Sequence, residues 1–202
     1  MLSSQKAHII GMGGFGKVRV YYSQQFQRKV IEKTVGPNFL RVKDGNRIRL
    51  STLIRDFQKN QFYLAKESVF MILMKAAKLD CCVQILGFCG NPFRIIMEYC
   101  EGGDLRKLLD SYRLSLIDKL DLIVQILSAV SKIHKIGVIH GDLKCANIFL
   151  VNKYIPGGNI KLKIGDFGLS EPGGKLVRGG HLDFVHQKYL CLVVHFRLIF
   201  IL

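Results

Sequence analysis

The chain has 202 residues, with 30 Lys and Arg against 15 Asp and Glu, a formal net charge of +15, and 49% hydrophobic residues. That is ample apolar material for a packed core, which excludes a generically disordered chain, and the length suits one large domain or two small lobes. Apolar runs stay short of the ~18–20 residues needed to span a bilayer, and glycines after Ile10 interrupt any stretch of signal-peptide length.

In chain order, the first segment reads as strands. Val18, Val20 and Tyr22 alternate with Lys17, Arg19 and Tyr21, the period of a half-buried strand, and a second short strand is expected around Lys29–Lys33. Residues 34–60 are polar and basic and contain Gly36-Pro37 and Asp44-Gly45, so they read as a long connection. From about Gln61 to Lys78 the pattern is helical. Two short strands follow, Val83–Phe88 and Arg94–Tyr99, joined at Gly90-Asn91-Pro92.

Glu101-Gly102-Gly103 marks a lobe boundary. Beyond it, Ser115-x-x-Asp118 resembles a capping box, and Leu116, Leu120, Ile123, Leu127 and Val130 recur at helical spacing as the expected buried face. Gly137 ends that helix. Strands at Ile148–Val151 and Ile160–Ile164 are split by Pro156-Gly157-Gly158.

The basic excess is concentrated early: residues 1–50 hold ten Lys and Arg against Glu32 and Asp44. Without aromatic-interleaved basic repeats or zinc-finger spacing, it reads as a solvated face rather than a dedicated nucleic-acid site. The six cysteines, Cys81, Cys82, Cys89, Cys100, Cys145 and Cys191, form no C-x-x-C pair. They suit a reducing, cytoplasmic setting better than a disulfide framework.

Gly11-Met12-Gly13-Gly14-Phe15-Gly16 is a G-x-G-x-x-G, whose glycines let backbone N–H groups approach phosphate oxygens. With Ile9-Ile10 before it and Glu32 some twenty residues on, it also fits a dinucleotide-binding turn. That reading needs a helix at the third glycine, whereas the Val18–Tyr22 alternation argues for a strand and a hairpin lid over phosphates.

His140-Gly141-Asp142-Leu143-Lys144-Cys145-Ala146-Asn147, followed after two strands by Asp166-Phe167-Gly168, completes the set. From about Ile9 to Leu169 the sequence resembles the eukaryotic protein kinases, which combine G-x-G-x-F-G-x-V, H-x-D-L-K-x-x-N and D-F-G in this order.

The resemblance implies an α+β, kinase-like bilobal fold. A β-rich small lobe would cover residues 1–100, with a basic insertion near 34–60. A partial, mainly helical large lobe would cover 101–171, and a divergent hydrophobic tail 172–202. It implies ATP and Mg2+ as cofactors and a protein substrate as partner, with transfer of the ATP γ-phosphate to serine or threonine hydroxyls. Lys144 in D-L-K-x-x-N favours that class over tyrosine kinases. The rival reading is a pseudokinase-like module that holds nucleotide or a partner without turnover.

Residue by residue, the resemblance assigns Gly11, Gly13, Gly16 and Val18 to the phosphate-covering loop and adenine roof. Lys33 takes the place of the lysine gripping the α- and β-phosphates. Glu67, the sole acid between Asp56 and Asp80, is its expected ion-pair partner. Met97 falls at the gatekeeper position and Glu98, Tyr99 and Cys100 at the hinge. Asp104 would reach the ribose or a basic substrate residue, and Phe149 joins the ATP-binding set. Asp142 would take the proton of the attacking hydroxyl and Lys144 would steady the γ-phosphoryl group. Asn147 and Asp166 would hold magnesium.

The sequence departs from the family at several points. Gly141 stands where an arginine usually precedes the catalytic aspartate, which removes the usual need for activation-loop phosphorylation. Ile31 replaces a small residue lining the adenine pocket. Thirty-four positions separate Lys33 from Glu67, longer than usual, and no Ala-Pro-Glu follows Asp166-Phe167-Gly168. The tail Lys188–Leu202, KYLCLVVHFRLIFIL, fits a truncated chain, for which an exposed apolar face on the 115–135 helix is expected.

Overall fold

A computed structural model describes residues 7–13, 16–35, 50–90 and 92–173. They divide into two compact units: one holds residues up to Lys75 together with Gln84–Tyr99, the other Ala76–Val83 and the chain from Cys100 on.

The first unit is built on one antiparallel sheet. Its strands are β1 (His8–Gly13), β2 (Gly16–Ser23), β3 (Arg28–Thr34), β4 (Ile85–Cys89) and β5 (Arg94–Glu98), in spatial order β1-β2-β3-β5-β4. A strand, not a helix, follows Gly16, so the dinucleotide-binding turn is excluded. The register sets Val18 opposite Lys33, Val20 opposite Ile31, Lys33 opposite Ile95 and Ile31 opposite Met97. These six side chains therefore share one face. Arg19, Glu32 and Arg94 lie on the other, where the buried Glu32 carboxylate receives both guanidinium groups.

Helix α1 (Leu50–Ala76) begins eleven residues before the expected start at Gln61. The expected connection over 34–60 is helical from residue 50, and residues 36–49 lie outside the described set. The early turns carry a helical repeat, Leu50, Leu53, Ile54 and Phe57, which the polar and basic composition of the segment obscures. The lack of any Gly or Pro from 50 to 76 points the same way. The buried stripe runs Asn60, Leu64, Glu67, Met71 and Met74, the 3–4 spacing of one helix face.

The second unit contains α2 (Leu105–Ser111), α3 (Leu116–Lys135), the pair β6 (Val138–Ile139) and β9 (Glu171–Pro172), and the hairpin β7 (Ile148–Leu150) with β8 (Leu162–Ile164). Helix α2 has no counterpart in the sequence reading. Ser115 caps α3 by accepting from the Asp118 N–H, but the Asp118 carboxylate accepts from the Ser115 hydroxyl instead of reaching the cap N–H.

The expected buried face of α3 is largely wrong. Leu122, Ile126, Ala129, Val130 and Ile133 are buried, whereas Leu116, Leu120 and Leu127 are exposed. Apolar residues occur almost all round this helix, so spacing alone could not choose the core side. Gln125 helps to make the choice: its amide donates to Ile160 O at 2.6 Å and accepts from Leu162 N at 3.1 Å, pinning α3 along β8. Among the described residues no helix is long and apolar enough to cross a membrane. The tail Lys188–Leu202 and Cys191 lie outside the described residues.

Candidate active site

In the first unit, Lys33 Nζ stands 2.7 Å from Glu67 Oε2. Strand β3 presents the lysine on the face shared with Val18, and the inward stripe of α1 presents the glutamate. Glu67 is 2% exposed, so the sheet and helix remove nearly all water from the carboxylate and the ammonium is its compensation. Gly11 is opposite Val18 and Gly13 opposite Gly16, the inner pairs of the β1–β2 hairpin.

The hairpin glycines are not equivalent. Gly16 has φ of +139°, and a Cβ there would lie 2.1 Å from Thr34 O, so the backbone itself demands glycine. At Gly11 a Cβ would meet Val18 Cβ at an ordinary 3.8 Å. The fold does not explain that glycine, whereas a ligand close to the backbone would. Ile31 and Met97, opposite one another on the same face, are both buried.

The second unit brings Asp142, Lys144 and Asn147 together. Lys144 Nζ lies 2.6 Å from Asp142 Oδ2, and Asn147 Nδ2 donates to Asp142 O at 2.8 Å and to Oδ2 at 3.1 Å. Asn147 belongs to a 3-10 turn, Cys145–Asn147, that leads into β7. Because Ile148 pairs with Ile164, Asn147 O accepts from Gly165 N at 2.9 Å. Asn147 and Asp166 thus leave the same end of the β7–β8 hairpin.

Gly165 is a junction that the sequence reading missed. Its carbonyl accepts from His140 Nε2 at 3.0 Å. A Cβ on it would strike Phe149 Cε2 and Val83 Cγ2, each at 2.9 Å. His140 Nδ1 in turn accepts from the Asp142 N–H at 3.3 Å. These two partners fix the neutral ring with its proton on Nε2. Burial holds the His140 imidazole below its ordinary pKa, with the Gly165 hydrogen bond opposing. The ring also packs on Phe167, centroids 4.9 Å apart, and Ser170 Oγ donates to His140 O. The segment carrying Asp142 is therefore tied to residues 165–170 from both sides of His140.

Asp166 adopts left-handed backbone angles, φ +65° and ψ +68°. For a non-glycine residue this costs of order 1–3 kcal/mol and persists only where neighbours impose it, commonly at functional sites. Gly141 has φ +79°, and a Cβ would lie 2.3 Å from Leu169 O.

The remaining expected residues have visible structural partners. Glu98 donates its N–H to Gln84 O at 3.0 Å and accepts from Gln84 N through its carboxylate at 2.8 Å. That N–H belongs to the sheet. Asp104 caps α2 by accepting from Lys107 N at 3.0 Å and pairs with Lys107 Nζ. Phe149 bridges to Asp104 through the backbone and lies against Gly165, and Cys100 is buried.

A family profile describing the protein kinase domain matches residues 4–183. The chain belongs to the protein kinase family. The α+β, two-lobed kinase fold expected from the motifs is the one it has. It is 41% identical over 106 residues to the mouse interferon-induced, double-stranded RNA-activated protein kinase, covering 48% of this chain and 19% of that protein. It is 35% identical over 125 residues to human serine/threonine-protein kinase ULK1, covering 57% and 11%. Against Xenopus laevis serine/threonine-protein kinase Nek9 it is 28% identical over 166 residues, covering 81% and 15%. The kinase domain thus spans between 11% and 19% of the length of these relatives.

The residues present fit a divalent cation. Both hydrogen bonds of the Asn147 amide nitrogen go to Asp142, and among the described residues no donor reaches its Oδ1. That oxygen and the nearby Asp166 carboxylate are the hard, oxygen-based donors that magnesium takes.

Proposed function

We propose that this kinase domain transfers the γ-phosphoryl group of ATP to serine or threonine hydroxyls of a protein substrate. The observation that carries the reading is the Asp142 cluster. One carboxylate oxygen is held by both Lys144 and Asn147, and the segment is locked to the Asp166 turn through His140 and Gly165. Phosphoryl transfer leaves a protein little covalent work, so fixed charge and positioning supply most of the acceleration.

In this reading Asp142 accepts the proton as the substrate hydroxyl oxygen forms its bond to the γ-phosphorus. The bond to the β–γ bridging oxygen breaks and ADP leaves. Lys144 balances charge on the transferring group, and its present bond to Asp142 also holds that carboxylate aimed. Lys33, itself oriented by Glu67, offers its ammonium to the α- and β-phosphates. Val18, Ile31 and Met97 supply the apolar surface for the base. Glu98 and Cys100 offer hinge backbone groups, the Glu98 N–H excepted, and Asp104 and Phe149 flank the site. Magnesium, held by Asn147 Oδ1 and Asp166, would neutralise phosphate charge.

The test is transfer of labelled phosphate from ATP to a mixed serine, threonine and tyrosine peptide set, beside an Asp142→Asn control. Label on serine or threonine that vanishes in the control is the expected result. Label on tyrosine would overturn the specificity. A chain that is stabilised by Mg-ATP yet transfers nothing would be the nucleotide-holding module instead.

A further inference from the structure

On the phosphoryl-transfer reading, on which this rests, we propose that Ser170 is a positioning residue. Its hydroxyl clamps the His140 carbonyl and so fixes the backbone from which Asp142 projects.

The clamp stands where the pairing of β6 with β9 runs out. Val138 lies opposite Pro172 and Ile139 opposite Glu171, and Gly173 N donates to Gly137 O at 2.7 Å. The next step of this register brings His140 to Ser170, but here the two main chains part. Ser170 N turns back to Phe167 O at 3.0 Å and closes the 3-10 turn Phe167–Leu169. Among the described residues no main-chain N–H reaches His140 O. His140 is 5% exposed and Ser170 wholly buried, so bulk water does not serve that carbonyl either. The Ser170 hydroxyl does, donating to it at 3.0 Å.

Gly141 is the reason such a clamp matters. Resonance makes the His140 carbonyl and the Gly141 N–H one rigid plane, so the bond to Ser170 fixes the entry to Gly141. Glycine ranges over both signs of φ, and Gly141 holds φ +79° immediately before Asp142. The Cβ of the family's usual arginine would narrow that range. Here the restriction has to come from outside the residue. The ring supplies little of it, because Asp142 N reaches His140 Nδ1 only at a long 3.3 Å.

The same histidine brackets the Asp166 turn. His140 Nε2 holds Gly165 O just before Asp166, and Ser170 caps the far end of the turn that the left-handed Asp166 opens. Without the hydroxyl, the ring and its packing on Phe167 keep one end of the bracket while the other comes free.

Misplacing a reacting group by about 1 Å costs about 100-fold in rate. Ser170→Ala removes a single oxygen and should lower kcat about 10- to 100-fold. KM for ATP should stay within about twofold, because Lys33 and the glycine hairpin belong to the first unit. Ser170→Thr keeps the hydroxyl and should restore kcat. Ser170→Cys, a weaker donor of similar shape, should fall between them.

The experiment measures kcat and KM for peptide phosphorylation in the parent and the three variants, each shown folded by urea titration. Backbone amide exchange is followed by NMR in the same proteins without nucleotide. Expected is an Asp142 amide that is protected in the parent and exchanges about tenfold faster in Ser170→Ala, with Ile126 and Ile133 of α3 unchanged. An Asp142 amide that exchanges freely in the parent overturns the proposal with no variant needed. So does a Ser170→Ala kcat within about twofold of the parent, or a folded Ser170→Thr no better than Ser170→Ala. Equal acceleration at Asp142 and along α3 would mark a merely structural role and overturn it too. A parent that transfers no phosphate sinks the kinase reading instead, while the exchange rates still decide whether the clamp holds.

Discussion

Replacing Glu67 by Gln tests the energetics of the Lys33–Glu67 pair without any nucleotide. At 2.7 Å and an effective dielectric of ~20, the attraction is about 6 kcal/mol, offset by desolvation of several kcal/mol per ion. The intact pair is thus worth little net. Removing one partner is different, because the Glu67 attraction is lost while the desolvation of the Lys33 ammonium, whose side chain is 14% exposed, remains. Such losses run to about 3–5 kcal/mol. With a urea slope of about 2 kcal/mol/M, 3 kcal/mol moves the unfolding midpoint by about 1.5 M. The chain has no tryptophan, so far-UV circular dichroism is the readout. Lys33→Met with Glu67→Leu removes both charges and should return to within about 1 kcal/mol of the parent. A loss below 1 kcal/mol in Glu67→Gln, or a double variant as unstable as the summed singles, would refute the argument.

The two hairpin glycines should separate cleanly. Gly16→Ala is expected to lose about 2 kcal/mol or more, while Gly11→Ala stays within about 0.5 kcal/mol of the parent yet shows a smaller upward melt shift with Mg-ATP. Equal behaviour in both melts would remove the ligand explanation for Gly11. Gly141→Arg, which restores the family's usual residue, should cost about 2 kcal/mol or more because of φ +79° and the Leu169 carbonyl, measured by the same urea titration. An unchanged midpoint would contradict this. His140 is held neutral by burial, so below about pH 6.5 the unfolded chain gains a proton that the folded chain refuses. Stability should fall as pH drops from 6.5 towards the depressed folded value, by up to about 1.4 kcal/mol per pH unit for this one proton. His140→Gln should flatten that slope in urea midpoints taken between pH 5 and 7.

Much of this was legible because the motif residues carry local constraints. Val18–Tyr22 alternates as a strand must, and Glu67, alone among acids over a long helical stretch, could be paired with Lys33 before any coordinates. The failures have equally local causes. The start of α1 lies in a segment whose polar and basic composition masks a helical repeat, Leu50, Leu53, Ile54 and Phe57, free of Gly and Pro. On α3, Leu116, Leu120 and Leu127 keep helical period as well as Leu122, Ile126 and Ile133 do, and the deciding contact, Gln125 with β8, is 35–37 residues distant in sequence. Gly165 reads as an ordinary residue before Asp166. Its need for glycine comes from Phe149 and Val83, which sequence order does not bring together.

The outward stripe of α3, with Ile117, Leu120, Val124 and Leu127 all exposed, has a calorimetric consequence. Hydrating aliphatic groups raises heat capacity, so any body that comes to cover this stripe will do so with a negative heat-capacity change. Near room temperature that association would carry little enthalpy and strengthen on warming, and sulfate would promote it while urea opposed it. Kinase-domain preparations kept cold and in low salt should therefore be the ones in which this stripe stays wet.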